Sequence, residues 1–524
     1  MTQSIDPRIL YSESPFFLDF IEGKRAATEF FEHSIASLQR LGEARQTHLT
    51  QHTRSETCNA LLEYNRTLDA SADTIGNIER LRDPKALCVI GGQQAGFLGG
   101  PLFVIYKIAS VIRTAGWLSD RLEVPVVPIF WLASEDHDFA EINHTRWLDN
   151  SGSLRTISFD WEEQGRPIEQ LPMTPAVQHA FDEVNRKISF SRASDAAIFK
   201  PEESDDYCRW HARIWSRLFG HDGLILVEPR VLRPLAKPFF MRALSEPNVI
   251  RAGLAKRAGR LTEYGYPVPL DLSNVGTLFE ISTDGKRQRT EPPLEGTPTT
   301  IGQLRAEKYS TDAALRPLLA DSLLPTIANI LGPSELAYHA MLYPLYKQWS
   351  IPQPLAIPRQ GATVIPKAGF QLLSNLGVEI SEALHPEFKP TDVIRRLASD
   401  ELNLEFSEAK AQLEKALLPL KDHLIQLDPG LEARWCQTVD QARRQVERLE
   451  DRAIRAELAR RGISVKSFQR LTTLLRPMEK PQERVLSAVS IAATYGVEWI
   501  HKMITRGKPD RFEHQLIVLE DLNE

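Results

Sequence analysis

Residues 90–101 read IGGQQAGFLGGP, five glycines in twelve positions, set between the apolar run ALCVIGG at 86–92 and the helix-like stretch LFVIYKIASVIRTAG at 102–116. A short buried strand, a glycine loop and an apolar helix form the first half of a βαβ unit. The second half follows at 124–134 as VPVVPIFWLAS. Parallel strands need a crossover of this length, and the crossover is right-handed by default. The expected fold is therefore α/β with a parallel sheet. Ligands of such sheets bind outside the carboxyl ends of the strands, where glycines let backbone N–H groups approach an anion. Pro101 suits the first turn of the following helix, whose amino terminus presents unpaired N–H groups and partial positive charge. Phosphate or carboxylate is the natural guest. The segment is neither GxGxxG in its proper setting nor GxxxxGK[ST], so it names no cofactor. A tight turn with no ligand is the alternative, against which Gln93 and Gln94 add two adjacent amides at the strand's end.

The chain of 524 residues exceeds what one hydrophobic core supports, so roughly two to four domain-sized units are expected. Its 42% hydrophobic and 25% charged residues are ordinary for a soluble globular protein. A formal net charge of −6 with no basic tract argues against bulk nucleic acid or an anionic membrane as partner. The opening residues lack a secretory pattern, and no apolar run of about twenty residues is evident, so a cytoplasmic protein is expected. Cys58, Cys88, Cys208 and Cys436 lack metal-site or disulfide-framework spacing.

Texture divides the chain further. Residues 1–84 read as a helical segment packed on the core, with apolar residues at three-to-four spacing from about 15 to 80. Residues 85–375 read as the α/β core, with insertions at about 150–220 and 265–310; 376–505 as a helical coiled-coil region; and 506–524 as a tail returning to the core. Within the core, GLILVEP at 223–229 reads as a buried strand and 230–264 as helix. Asp284-Gly285 lies between two strand-like runs and predicts a β-hairpin. In the helical region Trp435, Val439, Ala442, Val446, Leu449, Ala453 and Ala456 step by four and three, a coiled-coil seam. The preceding stretch is its expected antiparallel partner, bent or broken at Pro419. Such a hairpin makes either a dimer surface or a merely intramolecular pair.

The second strand runs into WLASEDHDFAEINH at 131–144, which places Glu135, Asp136, His137, Asp138 and Glu141 near the glycine loop if the two strands are neighbours. A histidine flanked by carboxylates can serve as general base, or the carboxylates could hold Mg²⁺ for nucleotide phosphates; a capped helix start is the alternative. Further along, Gly332 and Pro333 open a helix bearing Glu335, Tyr338 and His339, with Glu335 and Tyr338 on one face. Arg359 could bind a carboxylate or phosphate bidentately and Arg316 could neutralise negative charge, the alternative for each being a surface or interdomain salt bridge.

GGQQAGFLGGPLFVIYK, PVVPIFWLASEDHDFAEIN, LRPLLADSLLPTIANILGPSELAYH, PLAIPR and LLRPMEKPQERV, in this order, resemble the successive motifs of the bacillithiol biosynthesis cysteine-adding enzymes, the BshC cysteine ligase family. The resemblance covers about 85–500. It implies a Rossmann-like core with inserted connecting segments, a C-terminal coiled coil that makes a homodimer, and a cytoplasmic ligase that joins the carboxyl group of cysteine to the amine of glucosaminyl malate. The family is compared with class I aminoacyl-tRNA synthetases, yet this chain has neither HIGH nor KMSKS, nor the Cys/His set that holds zinc in cysteine-activating enzymes. ATP is the expected cosubstrate, because a free carboxylate must be activated before an amine attacks it. His137, with Asp136 and Asp138, is the expected catalytic group. Gly92, Gln93, Gln94, Gly96, Gly99, Gly100, Pro101, Lys107, Glu135, Asn143, Arg316, Glu335, Tyr338 and Arg359 make the expected binding set, with no residue assigned to a metal. The alternatives are an ATP-dependent ligase or nucleotidyl transferase acting on another amine, or a non-catalytic dimeric scaffold that binds a metabolite.

Overall fold

The structure, a computed structural model, describes residues 2–149, 151–163, 165–188, 190, 192–290, 304–500 and 508–520. At its centre lie five strands, β1 (Leu87–Gln93), β2 (Val126–Leu132), β3 (Ile225–Val227), β4 (Thr326–Leu331) and β5 (Leu355–Pro358). They pair in the order β5-β4-β1-β2-β3, all parallel. Every residue of β2 and β4 is buried, as expected of a parallel sheet covered on both faces. The chain winds outward from β1 through β2 to β3, then returns beside β1 at β4 and winds the other way. This is the doubly wound Rossmann-like order, and the reversal leaves a crevice at the carboxyl ends of β1 and β4.

The helix Leu102–Leu122 packs on β1, β2 and β4. It is long and apolar enough, by length and composition, to cross a membrane, so the expectation of no such run is corrected. Yet 67% of its most apolar window is buried, which is what the central helix of a sheet protein requires. The helices Leu38–His48, Gln51–Arg66 and Ala72–Arg80 pack on the same sheet. Two buried arginines bind its amino-terminal edge. Arg45 donates to the carbonyls of Asp321, Leu324 and Pro352, just before β4 and β5, and Arg54 to those of Leu81, Pro84 and Ala86, just before β1. At the edge strand β3, the buried Asn65 amide both donates to Leu226 O and accepts from Leu226 N, standing in for a sixth strand.

A second sheet sets His514–Leu519 between Thr2–Ile5, antiparallel, and Gly361–Pro366, parallel. Between β3 and β4, the strands Leu278–Ile281 and Arg287–Arg289 form the expected hairpin around Asp284-Gly285, with Gly285 at φ +83°, and Tyr309–Thr311 joins as a third strand. Part of the expected 265–310 insertion, residues 291–303, lies outside the described residues, as do 501–507 near the expected end of the helical region and 521–524 of the tail. The helix read over 230–264 is instead four pieces, Pro229–Leu232, Arg233–Ala236, Lys237–Ser245 and Pro247–Glu263. Prolines 234, 238 and 247 lack the N–H that a continuing helix needs, and each sits in the first turn of the next piece.

The chain divides into two compact units, one formed by 1–149, 154–366 and 480–524, the other by 150–153 and 367–479. In the second, Asp400–Leu427 and Leu431–Arg460 form a helical hairpin. Lys410 pairs with Glu450 at 2.6 Å and Lys421 with Glu432 at 3.0 Å, so the register is antiparallel. The first helix runs through Pro419 without a break. The carbonyl of Lys415, which loses its partner there, lies on an exposed surface where water can replace it. The seam keeps its expected positions as far as Val446 and then slips by one residue: Leu449 is exposed, while Glu450, Ile454 and Leu458 are buried. The Lys410 ion pair accounts for Glu450 facing inward.

Burial pushes His211 down to about 4, His339 to about 3 and His514 to about 4. Each folded value lies below the unfolded value of about 6.5, so stability is full above that pH and falls as pH drops toward 4, by up to about 1.4 kcal/mol per pH unit for each histidine. Urea midpoints measured from about pH 7.5 to about pH 5 will fall steeply, and His514→Asn will make the fall shallower.

Candidate active site at the carboxyl ends of β1, β2 and β4

The site begins with Lys107, one and a half turns into the helix that follows β1. Its side chain is 1% exposed. The ammonium donates to Gly92 O at 2.7 Å, Gln93 Oε1 at 3.0 Å and Glu335 Oε2 at 2.6 Å. Glu335 also accepts the Gly332 N–H at 2.7 Å, closing the first turn of the helix Pro333–His339 that follows β4. Burial would raise the Glu335 carboxyl, but Lys107, the Gly332 N–H and Arg316 hold it below its ordinary value. One turn along, the Tyr338 hydroxyl accepts from Arg316 Nη2 at 3.0 Å. Burial lowers Arg316, and Tyr338, Glu335 and Glu135 more than offset it, so the guanidinium stays charged.

The end of β2 is the other wall. Gln94 Nε2 donates to Asp136 Oδ2 at 2.7 Å, so the glycine segment and the acidic cluster do meet, as neighbouring strands require. Asp136 Oδ1 accepts the His137 N–H at 2.8 Å. Burial raises this carboxyl, while Arg287, Gln94 and the His137 N–H outweigh it and hold it below the ordinary range. Glu135 is buried: its Oε1 accepts from Thr311 Oγ1 at 2.8 Å, and Arg233 lies 3.8 Å from its other oxygen.

The expected orientation of His137 by Asp136 or Asp138 is not what the structure holds. The His137–Asp136 separation is 3.7 Å, and the partner at hydrogen-bond distance is Arg287, whose Nη1 lies 3.0 Å from His137 Nδ1. A guanidinium can only donate, so Nδ1 is the acceptor and Nε2 carries the ring proton. Burial and Arg287 hold His137 below 6.5 against the pull of Asp136 and Asp138. Arg287 is anchored by Ser310 Oγ at 3.0 Å and Thr311 O at 2.5 Å, with Phe279 beneath its guanidinium.

Several expected binding residues take other work. Residues 95–100 are buried. A Cβ at Gly96 would lie 2.8 Å from Gly100 Cα, and one at Gly99, φ +88°, would lie 2.8 Å from the Trp215 ring, so these glycines permit close packing. Gly100, φ +69°, belongs to the same turn. Pro101 is the N-cap residue, and the Leu102 N–H that would face an anion donates to Leu486 O at 2.9 Å. The partly accessible residues of 90–100 are Gly92, Gln93 and Gln94, each half-buried. Arg359 gives its fork to the buried Glu483, at 2.6 and 3.0 Å, and Asn143 bonds Phe159 O and His144. Asp138 is exposed at the start of a short helix. Among the described residues no group of three or more His, Cys, Asp or Glu side chains is placed to hold a metal ion.

Two consequences are measurable. Lys107→Met leaves Glu335 charged and unpaired, and will cost about 2–4 kcal/mol in chemical denaturation, of which Lys107→Met with Glu335→Gln recovers a part. In NMR titration His137 will show a pKa below 6.5, and Arg287→Ala will raise it by removing the adjacent cation.

Residues 4–360 match the family described as "Bacillithiol biosynthesis BshC, N-terminal Rossmann-like domain", and 362–519 that described as "Bacillithiol biosynthesis BshC, C-terminal coiled-coil domain". A protein of Geobacillus thermodenitrificans named "Putative cysteine ligase BshC" is 28% identical over 536 residues, covering 96% of this chain and 97% of its own. Proteins of the same name from Koribacter versatilis and Bacillus cereus are 29% and 27% identical, covering 86% and 93% of this chain and 87% and 94% of their own. With the doubly wound sheet, the helical hairpin and both family descriptions in register along it, the chain belongs to the BshC family of bacillithiol biosynthesis.

Proposed function

We propose that this protein is a cysteine ligase that forms an amide between the carboxyl group of cysteine and the amine of glucosaminyl malate, with ATP activating the carboxyl. The observation that carries the reading is the crevice itself. Gln94–Asp136 from one side of the sheet and Lys107–Glu335 from the other meet at its reversal point, in a chain that matches the family along almost its whole length.

ATP converts the cysteine carboxylate to an acyl group with a phosphate-bearing leaving group. As the amine attacks the acyl carbon, the C–N bond forms, the leaving group departs, and the nitrogen's proton passes to a base. His137 is that base. Its depressed pKa keeps it neutral near pH 7. Gln94 and Asp136 fix polar groups of the substrate, and Arg316 offsets negative charge. No residue is assigned to Mg²⁺. The exposed Leu404, Leu418, Leu420, Leu427 and Leu449 along the helical hairpin support a homodimer through that region. The substrates are cytoplasmic metabolites in this reading, with neither membrane nor nucleic acid as partner.

Purified protein given cysteine, glucosaminyl malate and ATP will produce the thiol-bearing conjugate, detected by mass spectrometry, with ATP consumed. His137→Ala will lower kcat by about 10²–10⁴-fold. Absence of conjugate from the wild type, together with normal glucosaminyl malate levels in a deletion strain, overturns the assignment.

A further inference from the structure

His137 takes its ring partner from a residue 150 positions away rather than from its acidic neighbours. Asp136 is committed elsewhere: Oδ1 accepts the His137 backbone N–H at 2.8 Å and Oδ2 the Gln94 amide at 2.7 Å. Asp138 is exposed at the start of its short helix. What fixes the imidazole is therefore what fixes Arg287. The other two bonds of that guanidinium both go to Tyr309–Thr311, the third strand of the hairpin sheet. Nε donates to Ser310 Oγ at 3.0 Å, and Nη2 donates to Thr311 O at 2.5 Å.

That strand is tied in its turn. The Thr311 hydroxyl donates to Glu135 Oε1 at 2.8 Å. Glu135 follows the end of β2, and the carbonyls on either side of it, Ser134 O and Asp136 O, accept the N–H groups of Glu169 and Ile168, both at 2.8 Å. The hairpin is docked close by, with the Arg287 backbone N–H donating to Gly165 O at 2.9 Å. Ser310 and Thr311 are 0% and 1% exposed and the Arg287 side chain 5%, so little water competes for these bonds.

We propose that Ser310, Thr311 and Glu135 are positioning residues for His137, acting through Arg287 to fix its resting tautomer and to hold a cation beside its ring. A guanidinium only donates, so while it is held there Nδ1 accepts and Nε2 is the protonated nitrogen. The held charge also disfavours the imidazolium. Around the ring, Asp136 and Asp138 raise its pKa while Arg287 and Arg289 of the hairpin lower it; the Phe279 ring, 6.1 Å away between centroids, carries no charge. Loosening Arg287 shifts this balance toward the carboxylates. Glu135, expected to bind substrate, then supports the site from behind. The relay refines the ligase reading and rests on it only for the use made of His137.

The test uses the full chain labelled with heavy nitrogen at histidine, whose proton–nitrogen correlation spectra report the tautomer and pKa of each ring. The His137 signals are those lost in His137→Gln. In the wild type they will report one tautomer, protonated at Nε2. Thr311→Val removes the hydroxyl and keeps the carbonyl that binds Arg287. Ser310→Ala removes the acceptor of Arg287 Nε, and serves independently should the first variant fold poorly. In each folded variant the tautomer protonated at Nδ1 will appear, and the His137 pKa will rise by roughly half a unit to one unit. Thr311→Ser, which restores the hydroxyl, will return both toward the wild type. Folded variants whose tautomer and pKa both match the wild type overturn the proposal, as does a wild type that populates both tautomers equally. In conjugate formation, the acidic limb of the pH–rate profile will move to higher pH with the His137 pKa. Conjugate formed by a protein whose His137 is unmoved by these variants leaves the ligase reading and removes the relay. A relay seen in a protein that forms no conjugate overturns the ligase reading alone.

Discussion

The Lys107–Glu335 pair joins the two halves of the molecule's central sheet. A parallel sheet wound in both directions from β1 has no covalent link between the loop after β1 and the loop after β4, although they flank one crevice. A single ammonium bridges them, bonded to Gly92 O, Gln93 and Glu335, the last of which caps its own helix. The ammonium is excluded from water, and burial holds it below its ordinary value, while its three acceptors, Glu335 foremost, oppose that pull. Through this pair the positions of Gln93, Gln94 and Tyr338 become one geometry rather than three.

Polar residues at the two ends of the sheet do different work. At the amino-terminal end the terminal nitrogens of Arg45 and Arg54 are given to backbone carbonyls, an arrangement that closes the edge. At the carboxyl end polar groups are only partly satisfied. Arg316 has one partner, the Trp131 N–H has none, and His137 is held by an arginine from a distant hairpin. Groups that must exchange a protein partner for a substrate need this incompleteness, and the carboxyl end is where ligands of such sheets bind.

Much of the architecture was legible in local patterns. The apolar runs at 86–92 and 124–134, the helix between them, the Asp284-Gly285 hairpin and the helix opening at Pro333 all follow from spacing and turn chemistry, which act over a few residues. The errors share one cause. Pro419 and the prolines of 229–263 have the same local signature, yet Pro419 stands inside a continuous solvated helix while prolines 234, 238 and 247 each open a new piece, a difference that the local signature does not carry. Glycines 96, 99 and 100 read as an anion cradle, but the partners that require them, Trp215 and the turn itself, bury the loop. Arg287 could not be found at all: its hairpin was visible, but its landing point on His137 was not.

The sequence by itself determined the βαβ order, the concentration of titratable groups after the second strand and the family to which these motifs belong, since each is written in contiguous residues. Only the tertiary structure decided which groups meet. It spent Arg359 on Glu483 and Asn143 on the Phe159 carbonyl, set Arg287 against His137, and left Arg316 beside Tyr338. These outcomes rest on contacts between residues far apart in the chain, where burial and the need to satisfy every polar group choose one partner from many that local chemistry would allow.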